Sequence, residues 1–418
     1  MKKIAASIIT IGDELLIGQV IDTNSAWMAQ ELNKTGVWVK RRVAVGDVWD
    51  EIWNALNEEH EKSQIILITG GLGPTADDIT KPLLSQYFGG KLIVDEGALQ
   101  NVKYIFEKVL NRPMIDRNLK QAEVPDVCTV IQNKRGTAPG MWFEKDGRIF
   151  ISMPGVPHEM KGMMTDYVLP ELQKKFTLPT ILHTTLLTAG IGESFLADHI
   201  NAFEVALPSH IKLAYLPNYG MVRLRLTATG DNKETLEIEL QHHFNELKNL
   251  VKEWMAIDDD LSMQQAVGKL LIKKNKTLGT AESCTGGYIA HLLTANSGAS
   301  NYYKGSIVSY SNEIKQSVLH VDEQTIKTVG AVSEETVKQM ITGALNILQT
   351  DFMIAVSGIM GPDGGTPEKP VGLVFVAVGN KEKVVVQKFN FRFDRQRNIE
   401  LTATNALNML RKFIEAEA

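Results

Sequence analysis

The chain has 418 residues, 44% hydrophobic and 22% charged, with a formal net charge of -5 at pH 7. That balance suits a folded protein of several domains at roughly 100–200 residues each, and the absence of a lysine or arginine block argues against a nucleic-acid footprint. Two cysteines, Cys128 and Cys284, with no Cys-x-x-Cys pair, leave a disulfide framework and a structural zinc site unsupported.

The first residues are basic and then apolar, as in a secretory leader, but the run is short and meets Gly12-Asp13-Glu14 at once. A first strand over 4–11 is the better reading. No stretch is long enough to cross a membrane, and a cytoplasmic protein is expected. Strands follow over 38–45 and, as a buried parallel strand, 65–69. Asp22-Thr-Asn-Ser25 caps a helix through Lys34, and 48–60 forms another. This alternation implies an open parallel sheet with ligands at the carboxyl ends of its strands. Further strands are expected at 127–132 and 148–152, the latter ending in Met153-Pro-Gly-Val-Pro157, and then a helix over 158–176.

The pattern changes after Leu178-Pro179. Strands at 182–189, 211–216 and 222–229, with helices at 193–203 and 234–253, read as a small α+β, KH-like module. Its Gly190-Ile-Gly-Glu193 is superficially similar to a KH backbone clamp, but the spacing is wrong and no basic flank accompanies it, so no direct nucleic-acid contact is expected. Asp258-Asp-Asp-Leu261 reads as a solvated linker. A second α/β unit then takes a helix at 263–274, strands at 277–282, 304–310, 352–357, 373–378 and 384–391, and helices at 334–348 and 395–416. The fold class is α/β, with domains at 1–175, 176–257 and 258–418.

In the first domain, Thr69-Gly-Gly-Leu-Gly-Pro-Thr-Ala-Asp-Asp-Ile-Thr80 follows a buried strand. Gly70, Gly71 and Gly73 let backbone approach a ligand closely, and Pro74 can start a helix whose free amides favour phosphate. Asp77 and Asp78 would repel a bare phosphate, a conflict that magnesium held by carboxylates and substrate phosphates resolves. Gly12-Asp13-Glu14 places further carboxylates on the same sheet edge. The alternative is that the two aspartates only cap a helix. Lys134-Arg-Gly-Thr-Ala-Pro-Gly140 adds cations that could face an anion or form a solvated turn, and His158 and Glu159 could cap and solvate their helix.

In the last domain, Thr280-Ala-Glu-Ser-Cys-Thr-Gly-Gly287 puts hydroxyl and thiol groups at a strand-to-helix turn, where a nucleophile can stand beside oxyanion-stabilising amides. Ser283 needs a base, and no histidine sits in a motif that suggests one. Lys315, in Tyr310-Ser-Asn-Glu-Ile-Lys315, can serve if burial keeps it neutral. Cys284 is a rival nucleophile. Alternatively, Ser283 is an N-cap and Lys315 a surface charge. A second glycine loop runs from Ser357 to Gly372 after an apolar strand, and Arg395 could clamp a phosphate or be a solvated helix end.

The motifs Gly12-Asp-Glu-Leu-Leu-Ile-Gly18, Asp22-Thr-Asn24, 69–80, Gly136-Thr-Ala-Pro-Gly140 and Pro154-Gly-Val-Pro-His-Glu-Met160 together resemble the molybdopterin-binding-like domain of the CinA family, named for competence and damage induction. The resemblance implies a MoaB/MogA-like α/β/α fold and a metal-dependent pyrophosphatase acting on ADP-ribose. A pterin and a nucleotide diphosphate are both anionic and suit the same loop, so the residues leave that choice open. The positions implied are Gly70, Gly71, Gly73, Thr75, Gly136 and Thr137 for substrate, and Asp13, Asp77 and Asp78 for a divalent metal such as magnesium, Asp78 also being catalytic.

The 280–287, 310–315 and 357–372 motifs, with Gly330-Ala-Val-Ser-Glu334, look like the CinA C-terminal domain, whose stand-alone relatives are nicotinamide-nucleotide amidases. Carried over, Ser283 matches the nucleophile and Lys315 its base, while Ser357 and Arg395 match assisting or binding positions. Thr285, Gly286, Tyr310, Gly361, Gly365 and Thr366 are expected on the substrate. Met360 replaces the usual alanine and could narrow or reshape the pocket. This site is expected to need no cofactor. The implied function is a bifunctional pyridine-nucleotide salvage enzyme and homodimer, hydrolysing nicotinamide mononucleotide (NMN) at one site and ADP-ribose at the other. The alternative is a non-catalytic molybdopterin- or nucleotide-binding protein with one or both sites inactive.

Overall fold

Alternating apolar side chains along the first strands feed two separate cores in the computed structural model, which describes residues 4–75, 78–218 and 220–417. The chain divides into two compact units, Met1–Leu182 with Ala228–Glu237, and His183–Thr227 with Ile238–Ala418.

In the first unit, β1 (Ala5–Ile11), α1 (Thr23–Lys34), β2 (Trp38–Val45), α2 (Trp49–Lys62), β3 (Ile65–Thr69) and α3 (Thr80–Phe88) alternate as read from the sequence. After them come β4 (Thr129–Ile131), β5 (Gly140–Lys145), β6 (Arg148–Met153) and α4 (Pro157–Met163), which runs on as helix to Lys175. The sheet order is β2-β1-β3-β6-β5-β4. In β1, Ala6 and Ile8 face the core under α1 and α4, while Ile9 and Ile11 face the core under α2 and α3. The period of two puts successive residues on opposite faces, which a sheet covered on both sides requires.

The sheet is not wholly parallel. β5 pairs antiparallel with both β6 and β4, and β5 itself was not anticipated. Asp146, at φ 52, and Gly147, at φ 72, return the chain from β5 into β6, so an Asp-Gly hairpin turn explains the extra strand. The strand expected at 127–132 shortens to β4. The helix expected from Pro74 begins instead at Thr80.

The chain then forms a four-stranded sheet of β7 (Thr180–Ala189), β8 (Ile211–Asn218), β9 (Met221–Gly230) and β10 (Met255–Ile257), ordered β8-β9-β7-β10, with α5 (Glu193–Ala206) and α6 (Lys233–Leu250). It continues through α7 (Met263–Lys274), β11 (Leu278–Glu282), α8 (Tyr288–Thr294), β12 (Tyr303–Val308), α9 (Asn312–Ser317) and α10 (Glu334–Leu348). β13 (Phe352–Gly358), β14 (Leu373–Gly379), β15 (Val384–Asn390) and α11 (Arg395–Ala416) complete it, with sheet order β12-β11-β13-β14-β15. Ile354 and Val356 of β13 pack toward α7 and α11, and Met353 and Ala355 toward α10.

Register fixes where each sheet opens. Ile11 lies opposite Val45, Thr10 opposite Thr69, and Thr69 opposite Met153, so the turns after β1, β2, β3 and β6 share one edge. In the second unit Glu282 lies opposite both Val308 and Val356. Ser283, Ser309 and Ser357 therefore leave neighbouring strands at the same level.

Candidate active sites at two strand edges

At the first edge the chain turns sharply after β3. Gly70 has φ 118, and a Cβ there would lie 2.2 Å from the Ile11 carbonyl oxygen, so only glycine fits. Asp13 and Asp47 tie the turns after β1 and β2 together: each backbone amide donates to the other's carboxylate at 3.2 Å. Asp47 was not singled out from the sequence. It also approaches the glycine loop, its Oδ1 standing 3.7 Å from where a Cβ on Gly71 would be. Beside that position the buried Thr80 hydroxyl has no hydrogen-bond partner.

Asp78 has a role that neither sequence reading foresaw. It does not cap α3, whose N-cap is Ile79. Its Oδ1 accepts from the Gly73 amide at 2.8 Å, and its Oδ2 from the Thr75 amide at 2.8 Å and from the Thr75 hydroxyl. The loop amides expected for a phosphate are thus held by a carboxylate of the same loop. Asp77 lies outside the described residues.

Asn24 joins this edge by donating to the Gly155 carbonyl at 2.7 Å, and Gly155 packs against Gly70. Gly136 accepts from Asn101 at 2.9 Å and packs against the Glu159 carboxylate. Glu159 accepts from Asn133 at 2.6 Å, while burial raises its carboxyl above the usual range. Thr137 lies half-buried next to Gly136. The Arg135 guanidinium lies over Gly162 and pairs with Asp166 at 3.7 Å. As a donor set, the carboxylates of Asp13 and Asp47 are hard oxygens on adjacent turns. Such a set fits magnesium, which takes one or two carboxylates and completes its shell with water and substrate phosphates.

The second edge is drier. Ser283 is 7% exposed and Lys315 only 1%. Lys315 Nζ lies 2.9 Å from Ser283 Oγ, 2.8 Å from the Ser309 carbonyl oxygen and 3.3 Å from that of Tyr310. A neutral amine meets these three neighbours well, since two N–H groups can donate to the carbonyls while the lone pair accepts from the serine hydroxyl. Burial lowers the Lys315 pKa from the ordinary lysine value. The surface-charge reading of Lys315 is therefore ruled out by its position. Cys284, the rival nucleophile, is buried, and that burial pushes its thiol up to about 12, so it is a poor source of thiolate.

These groups line a cavity of 230 Å³ with Tyr310, Asn312, Ser357, Met360 and Arg395. Arg395 donates to the Gly361 carbonyl at 2.8 Å and to the Tyr310 hydroxyl at 2.9 Å. Ser357 donates to the Ala331 carbonyl at 2.7 Å. Met360 is 3% exposed and its backbone carbonyl accepts from the buried Asn398 at 3.1 Å. Gly286, at φ 61, has open space where a side chain would stand. Thr285 turns away and donates to Glu282. Gly365 packs against Val371, and Thr366 closes an exposed turn with Lys369; neither lines the cavity.

Glu282, like Asp47, is a residue the sequence reading overlooked. Fully buried, its carboxylate accepts from the Ile289 amide at 3.0 Å and the Ala290 amide at 2.9 Å. It also accepts from the hydroxyls of Thr285 at 2.8 Å, Thr280 at 3.1 Å and Ser306 at 3.4 Å. An acid ending an apolar strand was the available signal. It fastens the Ser283 turn to the start of α8, while its backbone carbonyl accepts from the Ser309 amide at 2.8 Å.

Three family models match successive parts of the chain. Residues 7–174 match the family model described as "Probable molybdopterin binding domain", 183–255 the CinA KH domain, and 260–414 the CinA C-terminal domain. A CinA-like protein of Cytophaga hutchinsonii is 46% identical over 409 residues, covering 98% of each chain. One from Flavobacterium psychrophilum is 43% identical over 410 residues, again covering 98% of each. The crystal structure of the competence/damage inducible protein CihA from Agrobacterium tumefaciens is 35% identical, covering 37% of this chain and 97% of its own, with a TM-score of 0.35. The chain belongs to the CinA family.

Proposed function

We propose that this CinA-family chain is a hydrolase that converts NMN to nicotinate mononucleotide and ammonia at the second edge. The observation that carries this reading is Lys315 Nζ, buried and 2.9 Å from Ser283 Oγ. Ser283 Oγ attacks the carboxamide carbon while its proton passes to the neutral Lys315 amine. The C–N bond breaks and ammonia leaves with that proton. Water then cleaves the Ser283 ester. Backbone amides of the turn after Ser283 would receive the oxyanion, and Arg395 would meet the phosphate of the nucleotide. Ammonia release from NMN that survives Ser283→Ala would overturn the assignment.

The first edge supports a second activity, cleavage of the diphosphate of ADP-ribose. Asp13 and Asp47, with Asp77, would hold a divalent cation there, which when bound supplies charge neutralisation on the phosphates and a more acidic water. Asp78 holds the glycine loop in shape, and Asn24 orients the turn after β6. Incubation with ADP-ribose, with and without divalent metal, followed by identification of products tests it. Equilibrium binding of a pterin or nucleotide with no product after prolonged incubation would favour a non-catalytic binder instead.

A further inference from the structure

We propose that His242, His243 and Glu246 on α6 form a transition-metal site of the middle module, separate from both edges described above. Their candidate ligand atoms all lie within 4.8 Å of one another. Glu246 stands one helical turn beyond both histidines, at i+4 from His242 and i+3 from His243, so a single carboxylate reaches both rings. Its Oε2 is 3.5 Å from His243 Nδ1.

A second observation concerns His243 itself. Its side chain is 18% exposed, and its buried Nδ1 has no hydrogen-bond partner. The ring is fixed by edge contacts with Phe203, centroids 6.3 Å apart, and with His242, 5.3 Å apart. A buried ring nitrogen that makes no hydrogen bond is costly, and the Glu246 carboxylate 3.5 Å away serves it only when the ring is protonated; a metal held between the two serves the neutral ring. Two imidazoles and one carboxylate suit zinc, cobalt or nickel, leaving an open position for water or another ligand. The same set does not suit magnesium, which prefers oxygen ligands. The first edge and this helix therefore select different metals. Closing the site would bridge two turns of α6 and stiffen the helix face that carries it.

The test uses the full chain, freed of metal by chelation and titrated with zinc in the presence of excess magnesium. Wild type is expected to bind about one equivalent more zinc than Glu246→Gln or His243→Ala. Cobalt is expected to give d–d absorption in wild type that both variants lack. Glu246→Gln changes an exposed surface group, so a loss there cannot be ascribed to misfolding. Equal zinc stoichiometry and affinity in wild type and both variants would overturn the proposal, as would a cobalt spectrum that none of the substitutions alters.

Discussion

Lys315→Arg separates a lysine that acts as a base from one that merely fills space. Arginine keeps a cation and donors but cannot give up its proton in a protein. Lys315→Met removes the amine and keeps a flexible linear chain. In either variant Ser283 Oγ loses the acceptor 2.9 Å away. General-base assistance contributes about 10²–10⁴-fold, so kcat/KM for NMN is expected to fall by that factor, about 2.7–5.4 kcal/mol in the barrier. The pH profile is the sharper readout. In wild type the rate rises with pH as Lys315 deprotonates, with a midpoint that burial holds below the ordinary lysine value. Lys315→Met lacks that limb. Stability follows the same proton. The unfolded lysine holds its proton to higher pH than the folded one, so this residue's contribution to stability rises with pH between the lowered folded pKa and the ordinary value, and is flat below both. The assay is ammonia release from NMN across pH, with thermal midpoints alongside. Retention of the alkaline limb in Lys315→Met, or Lys315→Arg turnover within tenfold of wild type, would refute the reasoning.

Cys284→Ala is expected to keep NMN turnover, because a thiol held near 12 is protonated at assay pH; loss of activity with a substrate adduct mapped to Cys284 would reverse the nucleophile. Glu282→Gln leaves the amide nitrogen facing either the Ile289 or the Ala290 backbone N–H. One donor then goes unpaired, at about 1–3 kcal/mol, and the thermal midpoint should fall by about 2–4 °C for each of those kcal/mol; an unchanged midpoint with unchanged kcat would leave Glu282 without the fastening role. Asp47→Asn should raise the metal concentration needed for ADP-ribose cleavage by about tenfold or more, and an unaltered metal titration would remove Asp47 from the cation's surroundings.

Much of the fold was legible because burial writes itself into local pattern. β2, β3, α7, α10 and α11 occupy the residues their apolar periodicity and caps indicate, since each element must present its own face to a core. The family motifs likewise set Ser283 and the glycine loop at strand ends and singled out Lys315, which lies in α9. What local pattern could not reveal depends on residues distant in sequence. Asp13 and Asp47 are 34 residues apart and meet only because β1 and β2 pair in parallel. The sequence offered Ser283 and Cys284 as adjacent nucleophiles; packing buried both and set Lys315, 32 residues away, against the hydroxyl. The sequence also named Asp78 for its charge, but the bond partners of that charge, the amides of Gly73 and Thr75, emerge only when the loop closes on itself. Residue chemistry and periodicity are local properties readable along a chain, whereas protonation and partnership depend on what tertiary packing brings near and on how much water it leaves.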